Sequence, residues 1–131
     1  MKKYIALLLS ALVLSVATQM CRAQSFESQS ASIAAAFNAR NAALLAEHFC
    51  ASVELLLPGV DDTFSKVQAK GYVADFFGKI QPHSFEIVHQ GSRANVCFIV
   101  GNLTTATKSF RVNMLFKKEG DVLKIYQLRI E

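Results

Sequence analysis

His48 and His89 are the side chains of this sequence best suited to exchange a proton near neutral pH, and Asn41 and Tyr126 are the polar groups whose positions would bring them alongside. A base of that kind, with an amide or phenol to hold a developing oxyanion, is the minimum equipment of a cofactor-free isomerase or lyase. Tyr72 and Phe76 would supply apolar walls, so Asn41, His48, Tyr72, Phe76, His89 and Tyr126 together define the expected pocket. The carboxylates are placed less well. Asp75 falls on the polar side of a helix one turn before Lys79, the spacing of an exposed ion pair. Glu54 alternates with Val53 and Leu55 and so points away from a core, and Asp61 and Asp62 fall in a loop. No residue is therefore assigned a catalytic role. Three scattered histidines, His48, His83 and His89, lack the spacing of a ligand pair, and there is no Gly-rich phosphate loop or Ser-x-Gly elbow, so neither metal nor cofactor is expected. The expectation is a non-enzymatic binding or dimerisation module with a small apolar pocket for an apolar ligand. A lyase or isomerase using His89 or His48 is the alternative.

The elements that must carry these residues follow from hydrophobic period. Residues 84–131 read as four consecutive strands. In the clearest of them Phe110, Val112, Met114 and Phe116 alternate with Arg111, Asn113 and Leu115. A hairpin loop at Lys118-Glu119-Gly120, with Gly120 left-handed, places Tyr126, Leu128 and Ile130 on the face of Phe110. The same parity leaves Leu115, Leu123 and Ile125 as an apolar island on the opposite, polar face, and a homodimer formed through that island is expected. His89 takes the parity of Phe85 and Ile87. Upstream, a helix over 30–49 carries Ile33, Phe37, Leu44 and His48 on one stripe, and a short strand over 53–57 ends at Pro58-Gly59. A second helix starts at the capping box Ser65 to Gln68 and buries Ala69, Tyr72, Val73, Phe76, Phe77 and Ile80. Gly71 in its middle suggests close packing, and Gly78 a stop. Two helices on the concave face of a curved antiparallel sheet, in the order α-β-α-β-β-β-β, make an α+β roll.

The chain begins Met1-Lys2-Lys3, continues with an apolar run over 4–16 and reaches Ala23, the layout of a secretory leader. Cleavage after Ala23 leaves one domain, 24–131, exported to the periplasm or beyond; acylation of Cys21 is the rival reading. Loss of Lys2, Lys3 and Arg22 leaves 11 basic against 10 acidic residues. With no basic cluster interleaved with aromatics, nucleic acid is not expected as a partner, nor is a membrane span. Cys50 and Cys97 remain, read as free thiols with a disulfide as the alternative.

The order of elements, with Phe37, Asn41-Ala42, Val53-Glu54-Leu55, Phe64-Ser65-Lys66, Phe76-Phe77, His89-Gln90-Gly91, Gly101, Phe110-Arg111-Val112 and Ile130-Glu131, resembles a bacterial family of short secreted proteins of unknown function. That family sits in the nuclear-transport-factor-2-like, or cystatin-like, superfamily. The resemblance implies the roll and is compatible with both enzymes and non-catalytic modules, among which sheet-to-sheet dimers recur.

Overall fold

A computed structural model describes residues 26–131. Leader, cleavage site and Cys21 lie outside the described residues. Of residues 1–32, those at 26–32 are described and helical, with the Ser30 hydroxyl donating to the Phe26 carbonyl at 2.9 Å. Residues 33–131 form one compact unit.

The first helix, α1, covers 26–38, and the chain then breaks rather than running on to 49. Arg40 adopts a left-handed conformation (φ 53°), and the Asn41 side chain caps a separate five-residue helix, α2 (Ala42–Ala46), by accepting from the Leu44 amide at 3.0 Å. The break shifts the helical phase, so Leu45 is buried in place of Leu44, which is 44% exposed. It also moves His48 off the helix into the turn before β1 (Phe49–Leu57).

The sequence over 60–65, expected as a loop around Asp61-Asp62, is instead a strand, β2 (Val60–Ser65), paired antiparallel with β1 across the Pro58-Gly59 turn. It is an edge strand, and its two exposed aspartates discourage further strand pairing. The predicted capping box is present: Ser65 Oγ accepts from the Gln68 amide and Gln68 Oε1 from the Ser65 amide, both at 3.3 Å, opening α3 (Lys66–Ile80).

The remaining strands, β3 (Ser84–Arg93), β4 (Val96–Thr104), β5 (Ser109–Glu119) and β6 (Val122–Ile130), confirm the four-strand reading. The sheet has the order β2-β1-β6-β5-β4-β3. All its ladders are antiparallel except the parallel β1–β6 pair, a departure from the wholly antiparallel sheet expected. Gly120 is left-handed as expected (φ 68°), but the loop is not the expected Lys118-Glu119-Gly120: Lys118 and Glu119 pair with Leu123 and Val122, and the β5–β6 turn is the two residues Gly120-Asp121.

Two bulges reset the side-chain parity. In β6 the register slips between Leu115↔Gln127 and Phe116↔Ile125, leaving Tyr126 unpaired. Ile125, in register from the turn, is with Phe116 in the core at 0% exposure, while Tyr126 turns outward with Lys117 Nζ 5.7 Å from its ring centroid, and the bulge returns Leu128 and Ile130 to the core side. In β3 the slip between Ile87 and His89 leaves Val88 unpaired and puts His89 opposite Val100 on the outer face.

One face of the sheet, with Phe85, Ile99, Leu103, Phe110, Val112, Met114, Phe116, Ile125 and Leu128, meets α3 through Val73, Phe76 and Phe77 and α1 through Phe37. The Asn38 side chain fastens α1 to the sheet edge. Its amide donates to the Phe85 carbonyl at 3.2 Å and its oxygen accepts from the Phe85 amide at 2.8 Å, standing in for a missing neighbouring strand.

Gly71 makes no close packing, contrary to expectation. A Cβ built there has nothing within 4 Å, and the same holds for Gly78, through which α3 continues to a left-handed cap at Gln81. Gly71→Ala is therefore expected to stabilise the fold by about 1 kcal/mol through helix propensity alone. A thermal melt checks this, and a melting point below wild type would contradict it.

Candidate functional site

The expected pocket is not assembled. Asn41 is spent on capping α2. The His48 carbonyl accepts from the Ile125 amide at 2.6 Å, and its imidazole has its pKa lowered, first by burial and then by the positive charges of Lys124 and Lys66, with Glu47 opposing. His89 is exposed on the outer face, its ring centroid 5.3 Å from that of Phe98. Tyr126 lies on that same face beside Lys117. His89 on β3 and Tyr126 on β6 are three strand positions apart, so that base and that oxyanion donor of the enzymatic alternative do not meet. Asp75 is exposed on α3, and His89 is on the opposite side of the sheet from that helix.

Tyr72 and Phe76 do line a cavity. A cleft of about 150 Å³ opens between α3 and the β1–β2 turn, walled by Leu57, Pro58, Val60, Tyr72 and Phe76 with Asp75 and Lys79 at its mouth. Leu57 and Phe76 form a buried floor, and the Tyr72 ring is tilted against Phe64 at 4.3 Å. The helical stripe of α3 disclosed Tyr72 and Phe76 in the sequence. Val60 was hidden because β2, which carries it, was not expected, whereas Leu57 ends a strand that was.

The outer face of the sheet is the second candidate surface. The expected island of Leu115, Leu123 and Ile125 does not exist: Ile125 is in the core, and Leu123, opposite Lys118, is on the core side of the ladder. Leu115 is on the outer face, where its neighbour across the β4–β5 ladder is Phe98, with Val96 and Val100 on the same side of β4. These four are half-buried. One end of the face carries Arg93, Lys117 and Lys124, and the other carries Glu86, Arg111, Arg129 and Glu131, the last two 3.7 Å apart as an ion pair.

Cys50 and Cys97 sit on β1 and β4, three strand spacings of about 4.8 Å apart, too far for a disulfide. The buried Cys50 thiol hydrogen-bonds the Glu119 carboxylate, which also accepts from the Ala51 amide at 3.0 Å. Burial and that negative charge raise the Cys50 pKa, so the group is a poor nucleophile. The amide bond from Ala51 leads the causes that lower the Glu119 pKa. Among the described residues no three His, Cys, Asp or Glu side chains stand together as a metal site, and no helix is long and apolar enough to cross a membrane.

The family described as Domain of unknown function (DUF4783) matches residues 30–131. A DUF4783 family protein from Bacteroides ovatus is similar at 31% identity over 76% of this chain and 91% of its own, with a TM-score of 0.71. One from Bacteroides uniformis is 33% identical over 76% and 93% of the two chains, also at 0.71. An uncharacterised cystatin-fold protein from Novosphingobium aromaticivorans, 18% identical over 78% and 93%, shares the fold at 0.58. Nuclear-transport-factor-2-like proteins are also among the structural neighbours. No curated protein matches.

Proposed function

This chain belongs to the DUF4783 family of domains of unknown function, and from that premise we propose that it is an exported, non-enzymatic module that works as a homodimer joined through its outer sheet face. The observation carrying this reading is the pattern of that face: Phe98, Val100, Leu115 and Val96 in the middle, a basic end, and an end holding two acids. A two-fold axis through the apolar centre joins the apolar strips and sets the basic end of one copy, Arg93, Lys117 and Lys124, against the mixed end of the other, where Glu86 and Glu131 stand with Arg111 and Arg129, so the two basic ends do not face each other. An apolar strip on an open sheet rimmed by charge is the kind of surface that marks an interface. Separation of His89 from Tyr126 across the sheet supports the non-enzymatic half.

Leu115→Lys is the informative change, because Leu115 projects outward and its loss does not open the core; Ile125 is unsuitable for the opposite reason. Protein exported from the full coding sequence is expected to have the intact mass of a chain starting at Gln24 and to sediment as a dimer, with the folded Leu115→Lys variant a monomer. A wild type that stays monomeric at high concentration, or a variant that dimerises equally well, would remove this reading.

A further inference from the structure

We propose that the cleft between the β1–β2 turn and α3 binds a small zwitterion with an apolar side chain, of the chemical class of leucine or another apolar α-amino acid. Its interior and its mouth ask for different things. The interior, about 150 Å³ walled by Leu57, Pro58, Val60, Tyr72 and Phe76, is apolar, and an apolar cavity of about that size accepts a group as large as benzene. The Tyr72 ring, 41% exposed, is braced on Phe64, so this wall is positioned before anything binds.

The mouth holds one charge of each sign. Asp75 and Lys79 are one helical turn apart on α3, with Cβ atoms about 5–6 Å from each other by helix geometry. The spacing suits an ion pair, the arrangement expected from the sequence. Yet among the described residues the ion pairs within 4.0 Å include Arg129–Glu131 and not Asp75–Lys79, so both charges at the cleft mouth are available. A ligand with an ammonium and a carboxylate on one carbon answers both, the ammonium toward Asp75 and the carboxylate toward Lys79, while its side chain enters the cleft. A fatty acid would answer Lys79 alone and an alkylamine Asp75 alone. The site is on the helical side, remote from the outer sheet face, and stands independently of the dimer.

Amide shifts of isotope-labelled protein, produced from the full chain, test this with four probes: leucine, 4-methylpentanoate, isopentylamine and glycine. Leucine is expected to shift the amides of Val60, Tyr72 and Phe76 saturably at ~10 mM or below. 4-Methylpentanoate and isopentylamine, each leucine less one charged group, should bind about threefold to fivefold more weakly, and glycine should leave these amides unmoved. Asp75→Asn should abolish the advantage of leucine over 4-methylpentanoate, and Lys79→Gln its advantage over isopentylamine. Both substitutions are on exposed positions, so folding is retained. Absence of saturable shifts with leucine would overturn the proposal, as would 4-methylpentanoate binding as well as leucine or shifts clustering away from the cleft. Leu115→Lys should leave the titration unchanged, which separates this result from that of the dimer.

Discussion

Gly101→Ala is expected to destabilise the protein by about 3 kcal/mol, the upper part of the range for forcing atoms into a packed core. A Cβ on Gly101 would lie 2.5 Å and 2.6 Å from two Phe85 ring carbons and 2.8 Å from the Glu86 carbonyl oxygen. Neither neighbour yields easily. The Phe85 ring is stacked on Phe37 at 4.3 Å, and its backbone is clasped on the edge side by Asn38. The Glu86 oxygen belongs to the β3–β4 ladder, where Glu86 is opposite Asn102. At about 4–8 °C per kcal/mol for a domain of this size, the melting point should fall by roughly 15 °C. The double variant Gly101→Ala with Phe85→Leu should show coupling, because the smaller side chain removes the ring clash but not the carbonyl clash. A Gly101→Ala protein melting within about 3 °C of wild type would show that the strand gives way at little cost.

Gly101 was visible in the sequence as one of the residues carrying the family resemblance, but its reason was not, since nothing local says that a ring from the neighbouring strand will cover it. The same limit explains the other departures. Alternation in Phe110–Phe116 and apolar character through 96–103 were enough to place four strands, because half-buried strands impose a period of two. A bulge adds one residue without a composition of its own, so neither Val88 nor Tyr126 announces that the parity after it changes. The bulge at Val88 sent His89 outward and the shorter Gly120-Asp121 turn sent Ile125 inward, and with them went the expected pocket and the expected island. The helix break at Arg40 was equally silent, since arginine is a good helix former and no Gly or Pro marks the position. The capping box, by contrast, is local chemistry and was legible in full, as were Tyr72 and Phe76 on the helix it starts.

Phe37→Ala is expected to have the largest effect, a loss of about 4 kcal/mol, because Phe37 joins three elements through one ring. It is 1% exposed, meets Phe77 of α3 edge-on at 5.6 Å between centroids, and stacks on Phe85 of β3 at 4.3 Å. Truncation removes both aromatic pairs, each contributing about 1 kcal/mol beyond buried area. It also leaves a cavity that its neighbours cannot fill: Phe85 is wedged over Gly101, and Phe77 is fixed within a helix whose cap holds Ser65 and Gln68. Against a total stability of about 5–15 kcal/mol, such a loss takes the protein toward unfolding at physiological temperature. Phe37→Leu keeps most of the volume while losing ring geometry, so it should cost about half as much. Urea unfolding of both variants beside wild type separates the contributions: a graded loss, Ala greater than Leu at unchanged m-value, is expected. Equal losses would place the cost in ring geometry rather than in the cavity, and a loss below about 1 kcal/mol for Ala would mean that α1 is held to the sheet by the Asn38 clasp instead.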